Sequence, residues 1–151
     1  MSSTASSNHQ IRPATVADVA AIFRVRTAVK ENVLTLQELA ELGVTPDTIA
    51  ELIRSTPCIW VAEADGQVVG FAMVEGETAC LFAAFVLPQY EGRGMGRDLV
   101  AVCEQALFRD HALAWLETDG RSRAAGFYRH LGWGDAADLK NGDVRLEKRR
   151  A

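Results

Sequence analysis

The stretch Val86-Leu87-Pro88-Gln89-Tyr90-Glu91-Gly92-Arg93-Gly94-Met95-Gly96-Arg97-Asp98-Leu99-Val100 carries an apolar strand through a proline and alternating glycines into an amphipathic helix. Such a turn suits an anion. Glycines let the backbone approach closely, and the helix that follows aims unpaired N–H groups and the positive end of its dipole at the same point. The chemistry favours the pyrophosphate of a phosphorylated cofactor. A dinucleotide-binding turn would read GxGxxG after the first strand. Here the pattern is Gly92-x-Gly94-x-Gly96 and it follows several strands, although Glu117 does lie about 20 residues on, where that reading wants an acid. A Walker loop needs a Lys-Ser or Lys-Thr pair, and the chain has none. A loop that only turns a corner is the remaining alternative.

The second candidate is Phe127-Tyr128-Arg129-His130-Leu131-Gly132-Trp133. Gly132 reads as a helix stop and Trp133 as a core anchor after it. An aromatic pair at a helix end is by itself core more often than catalysis. Taken with the glycine turn, Phe127-Tyr128 becomes the other half of a functional pair.

These residues need elements to position them. Ile11-Arg12-Pro13-Ala14 is an extended start, and Thr15 caps a helix expected over 16–30 with Val19, Ile22, Phe23, the aliphatic stem of Arg26 and Val29 on its packed side. A second helical region covers 34–42 and 46–54, broken at Gly43, with Thr45 as cap and Pro46 in the first turn. Strands are expected over 59–64, 68–76 and 79–87, with a tight hairpin at Asp65-Gly66. Their apolar density implies a sheet covered on both faces. A helix over 94–109, a strand over 113–117, a helix over 122–131 and a last strand over 143–148 follow. The class is α/β or α+β around one mixed sheet.

Composition narrows the function. A chain of 151 residues, 48% hydrophobic and 24% charged, fits one globular domain over 9–151 behind a Ser/Thr-rich leader over 1–8, expected to be disordered. The net charge of −4, with cations scattered until Lys148-Arg149-Arg150, argues against a nucleic-acid partner. The leader has no cationic start or apolar run, so no signal peptide or membrane anchor is expected there. Cys58, Cys80 and Cys103 form no CxxC pair and sit in apolar surroundings, so they read as reduced core residues of a cytoplasmic protein rather than metal ligands.

The run Val86 to Gly96, together with Phe127-Tyr128 and Leu131-Gly132-Trp133, resembles the GNAT superfamily of acyl-CoA-dependent N-acetyltransferases. Its glycine pattern is Q/R-x-x-G-x-G/A, and its aromatic pair ends in Leu-Gly-Phe or Leu-Gly-Trp. The Ile11 to Ala14 start with Asp18, and the hairpin from Trp60-Val61-Ala62-Glu63 to Val69-Gly70-Phe71, extend the resemblance over nearly the whole chain. The resemblance implies a mostly antiparallel sheet with helices on both faces, splayed between the fourth and fifth strands, and acetyl-CoA as cofactor. It implies cofactor binding at Glu91 and Gly92 and backbone donors to the pyrophosphate at Arg93, Gly94, Met95, Gly96, Arg97 and Asp98, with the Met95 side chain turned to the core. A backbone N–H near Phe85 or Val86 would steady the oxyanion, and Phe127 would lie against the cofactor. Tyr128, a phenol of pKa about 10, would protonate the leaving thiolate.

Two residues depart from the pattern. Glu91 stands where the family has Gln or Arg and is expected to weaken phosphate attraction modestly, with Arg93 and Arg97 restoring positive charge. Arg121 stands where many relatives have an Asn that contacts the pantetheine arm. The central strand 80–86 lacks a carboxylate, which leaves Glu75, Glu77, Glu117 or a water chain to act as base, Glu117 first. The resemblance places the amine acceptor, a small molecule or peptide, against the early helices, whose Glu31, Asn32, Glu38, Glu41, Asp47 and Glu51 would suit a cation. Relatives often form homodimers, although no patch here requires one. A non-catalytic acyl-CoA sensor of the same fold is the alternative function.

Overall fold

Strands β1 (His9–Pro13), β2 (Ile59–Ala64), β3 (Gln67–Glu75), β4 (Cys80–Val86), β5 (Leu113–Asp119), β6 (Gly134–Asp138) and β7 (Asp143–Arg149) form one sheet in the order β1-β2-β3-β4-β5-β7-β6. Neighbours are antiparallel except β4 and β5, which run parallel. This computed structural model describes residues 9–55 and 57–151, so the leader expected over 1–8 lies outside the described residues. The hairpin falls where the sequence puts it. Asp65 and Gly66 both have positive φ (53° and 77°), the backbone that a two-residue turn between twisted strands requires.

Helices α1 (Val19–Ala28), α2 (Leu36–Glu41), α3 (Pro46–Ser55), α4 (Met95–Phe108) and α5 (Arg123–His130) complete the chain. They cover both faces of the sheet. A Cβ at Gly70 of β3 would stand 3.3 Å from Leu99 of α4 and 3.0 Å from the Phe85 carbonyl oxygen, so glycine there lets α4 pack closely. The next residue, Phe71, points to the opposite face, towards α1.

Caps fix the helix starts. Thr35 and Glu38 form a reciprocal capping box on α2, Thr45 accepts from the Thr48 N–H, and Ser122 accepts from the Ala125 N–H of α5. Three features differ from the sequence reading. The first helix opens with a 3-10 turn (Val16–Asp18) and stops at Ala28, because Val29 is extended (φ −73°, ψ 157°). In the second helical region α2 is shorter than expected at both ends, whereas α3 starts at Pro46 as expected and runs one residue further. Strand β6 was not expected at all. Its sequence Gly-Asp-Ala-Ala-Asp has low strand propensity and is fully exposed, and the ladder to β7 makes it a strand.

Two polar clusters lock distant segments. The buried Trp133 indole donates to Glu104 of α4 (3.0 Å), which also takes Lys148 of β7 (2.9 Å). Asp18 is buried and accepts two bonds from Arg12 of β1 (2.8 and 3.0 Å) and one from the Thr15 N–H (2.7 Å). The Arg12 hydrogen bond holds the Asp18 carboxyl below its ordinary value, against the opposing effect of burial.

A depressed folded-state pKa contributes stability that is present above the unfolded value and lost as pH falls through the folded one. Asp18→Asn is therefore expected to lower unfolding free energy at pH 7 by about 1–3 kcal/mol. The gap to wild type should close below about pH 4. Denaturant titration across pH checks this, and a gap that persists at acid pH would refute the electrostatic account.

Candidate active site

β4 and β5 share a single register pair, Cys80 with Trp115, supported by the Trp115 N–H donating to Ala79 O (3.0 Å). Beyond it the strands diverge towards Val86 and Asp119. Within β4 the pairing to β3 slips between Leu81 and Ala83, leaving Phe82 as an extra, exposed residue. A bulge of this kind bends its strand and re-aims the residues beside it.

At the open end, β4 runs through a 3-10 segment (Pro88–Tyr90) into the glycine turn. Gly92 and Gly94 have φ of 79° and 89°. Gly94 caps α4, and the first intrahelical bond is Asp98 N–H to Gly94 O (3.0 Å). The N–H groups of Met95, Gly96 and Arg97 therefore have no acceptor within the helix. Met95 turns its side chain into the core. A Cβ at Gly96 would meet the Phe127 ring at 3.4 Å and a Val86 methyl at 3.9 Å. The end of β4, the start of α4 and the aromatic pair converge there.

The surrounding charges are mostly engaged. The Arg97 guanidinium folds to 3.0 Å from the Cβ position of Gly94. Arg93 lies over the Tyr90 ring (4.9 Å), and the Tyr90 hydroxyl donates to Asp65 (2.8 Å). Asp98 turns aside to His9 of β1 (2.7 Å). Glu91 pairs with Arg123 at the start of α5 (3.3 Å), and the Arg123 N–H donates to Glu31 from the α1–α2 connection (3.2 Å). The carboxylate that departs from the family pattern thus has a cation beside it.

Tyr128 is buried, its ring set edge-on to Phe127 (5.3 Å between centroids) and to Trp133 (6.1 Å). Burial pushes its phenol well above the ordinary value, and proximity to Cys103 adds to this. Among the described residues no buried side-chain nitrogen or oxygen lacks a partner. Among the described residues none donates to or accepts from the Tyr128 hydroxyl. Glu117 is exposed on β5, cross-strand from Arg145. With Glu75 it adds to the effect of burial, which holds the Cys80 thiol up at about 11. The Arg121 guanidinium lies 3.3 Å from the Cβ position of Gly142, against the β6–β7 turn.

On the other face, a cavity of about 310 Å³ lies between β3–β4 and the early helices. Its walls include Phe23, Leu34, Leu39, Phe71, Phe82 and Phe85. Of the six polar and acidic residues expected to build an acceptor site, Asn32 alone lines it. Glu31 and Glu38 bond to backbone N–H groups at helix starts, and Glu41, Asp47 and Glu51 are exposed. The ionised group in the wall is Arg26, which the sequence reading credits only with its aliphatic stem. An arginine within a helix's apolar stripe was the available signal. Among the described residues no His, Cys, Asp and Glu cluster could hold a metal, and no helix is long and apolar enough to cross a membrane.

The fold is shared with known proteins. The PaiA N-acetyltransferase of Thermoplasma acidophilum, in complex with coenzyme A, superposes with a TM-score of 0.77 at 17% identity, covering 95% of this chain and 99% of that one. YncA of Salmonella typhimurium, with its cofactor acetyl-CoA, gives 0.72 at 21% identity and 94% coverage of both chains. The ribosomal-protein-S18-alanine N-acetyltransferase of Escherichia coli gives 0.69 at 20% identity, again covering 94% of each. No curated protein sequence matches. The family model described as "Acetyltransferase (GNAT) domain" matches residues 55–134, more than half of the chain, from the segment before β2 through the glycine turn and the aromatic pair to the start of β6. The chain belongs to the GNAT acetyltransferase family.

Proposed function

We propose that the protein is an acetyl-CoA-dependent N-acetyltransferase that moves an acetyl group directly to a primary amine of a small molecule or peptide. The observation that carries this reading is the convergence at Gly96 of the unpaired α4 N–H groups, the open end of β4 and the Phe127-Tyr128 pair. The glycine turn fits a pyrophosphate, since side chains at Gly94 and Gly96 would fill the approach. Coenzyme A and acetyl-CoA in the structural relatives PaiA and YncA support the choice of cofactor.

The Glu91 N–H is already bonded to Pro88 O, and the Asp98 N–H, expected among the donors, to Gly94 O. The backbone N–H groups between them therefore hold the phosphates, with Arg93 and Arg97 adding positive charge. When bound, acetyl-CoA supplies a thioester whose C–S bond breaks as the amine nitrogen forms the new C–N bond. A backbone N–H near Phe85 or Val86 receives the charge that develops on the carbonyl oxygen. Tyr128 gives its proton to the departing sulfur and is restored by the proton that the nitrogen sheds. Its raised pKa keeps the phenol protonated throughout the neutral range. An acceptor that enters as the ammonium loses a first proton to water before it attacks, with Glu117 as the carboxylate on β5 available to pass that proton on. The second, shed as the C–N bond forms, is the one that restores Tyr128. The free thiols Cys58, Cys80 and Cys103 suit a reducing, cytoplasmic setting.

Three outcomes test this. Acetyl-CoA is expected to raise the melting temperature, and no shift with any acyl-CoA would overturn the reading. Tyr128→Phe is expected to lower kcat by about 100-fold or more while keeping that thermal shift. Retained turnover would remove Tyr128 from the chemistry, and binding with no thiol release by the wild type on any amine would favour a sensor. Glu91→Gln removes a carboxylate and frees Arg123, so the Kd for CoA should fall about two- to fivefold at low salt, on the scale of an exposed charge pair. That gain should vanish at high salt. Titration calorimetry at two ionic strengths decides, and unchanged affinity at low salt would leave the holding to the backbone alone.

A further inference from the structure

Arg26 is the unusual group in the cavity. It is only 9% exposed, its guanidinium carbon stands 4.4 Å above the Phe85 ring, and its Nη1 donates to Asn32 O at 3.0 Å. Arg12, Arg123, Arg129 and Arg145 each face a carboxylate, whereas among the described residues no carboxylate oxygen comes within 4.0 Å of Arg26. A guanidinium has five N–H donors in a fork that matches a carboxylate, and one donor is used here. Burying such a charge without a counter-ion is costly, and a bound anion would relieve the cost.

The rest of the cavity specifies what the anion is attached to. The walls are apolar, and the rim carries the exposed side chains of Leu42 and Phe82. The volume of about 310 Å³ lies at the small end of the roughly 300–1,000 Å³ usual for small-molecule sites. The location relates the anion to the reacting amine. Phe85, on which Arg26 rests, belongs to the part of β4 that has left β5, one residue from Val86. The α1–α2 connection beside the cavity also reaches α5, through Glu31 and the Arg123 N–H. A carboxylate on Arg26 therefore sits beside the transfer site.

We propose that the acceptor is an apolar α-amino acid, or a compound that likewise carries a carboxylate next to its amine on an apolar frame, held by Arg26 in the cavity over β3 and β4. This rests on the acetyltransferase reading and names its substrate class. Polyamines and other cationic acceptors are disfavoured, because their charge would meet Arg26 in an apolar chamber.

The test measures thiol release from acetyl-CoA with L-leucine, L-phenylalanine, leucinamide, 2-phenylethylamine and spermidine. The amino acids are expected to exceed the amide and the decarboxylated amine in kcat/KM by about 10- to 100-fold, the discrimination given by one charge-assisted pair. Arg26→Gln should bring the leucine-to-leucinamide ratio close to one, and Arg26→Lys should keep part of it. The ratio is insensitive to a general loss of folded enzyme, and the acetyl-CoA thermal shift checks the fold of each variant. Equal use of leucine and leucinamide, a preference for spermidine, or an unaltered ratio in Arg26→Gln would overturn the assignment. So would acetyl-CoA binding without release on either amino acid. Failure of acetyl-CoA to bind at all would instead overturn the acetyltransferase reading itself.

Discussion

Parallel strands hydrogen-bonded along their whole length would close this sheet between β4 and β5. Here they meet at Cys80 and Trp115 and then part, so the backbone of β4 keeps one row of groups that the sheet does not use. Buried backbone polar groups are almost always paired, and a strand can carry an unpaired edge in mid-sheet only where something else can reach it. The divergence is built in from both sides. The Phe82 bulge bends β4, while β5 is held along its other edge by a continuous antiparallel ladder to β7. The site opens onto the gap that results, and the cavity lies next to it, over β3 and β4.

The glycine turn is useful because of that gap. Its position depends on α4, which starts at Met95 after the 3-10 segment that follows β4 and whose body lies tightly on β3 at Gly70. The Glu104 carboxylate then binds α4 to Trp133 and Lys148, which fixes the far side of the gap through the segment that follows α5. That cluster is partly buried and satisfies an indole N–H and an ammonium together, so it resists rearrangement more than an exposed pair does. The Glu91–Arg123 and Glu31–Arg123 contacts also cross the opening. They are exposed and each is worth at most about 1 kcal/mol. The opening is therefore set by packing and by the Glu104 cluster, and surface charge only tunes what approaches it.

Much of this was legible in the sequence because it is local. Positive-φ turns need Gly or Asp, caps need Thr or Ser, and apolar runs make strands, so Asp65-Gly66, the Thr45 cap and β2–β4 could be read from neighbours in the chain. The glycine turn and Phe127-Tyr128 were also readable, although their meeting at Gly96 joins residues about thirty positions apart and is a tertiary fact. Strand β6 was illegible because nothing in Gly-Asp-Ala-Ala-Asp asks for a strand, and only β7 supplies the reason. The Phe82 bulge was hidden for a related cause. It is a mismatch between two strands and leaves no trace in either one alone.

Arg26 shows the limit most clearly. In a helical stripe, an arginine is expected to lay its methylene stem on the core and carry its charge out to water. Here the stem follows that rule and the head does not, because β4 brings Phe85 over the helix and the chain after α1 folds back to offer Asn32 O. Periodicity cannot distinguish the two outcomes, since both have the same spacing. The difference lies in whether the opposite wall of the cavity supplies a carboxylate. On this sheet it does not, because the residues of β3 and β4 that line the cavity are Phe71, Met73, Phe82, Ala83 and Phe85. The acidic residues of α2 and α3 project outward, where solvation favours them. A chain with net negative charge thus encloses a positive one, and the ligand that enters the cavity completes the electrostatics the fold leaves open.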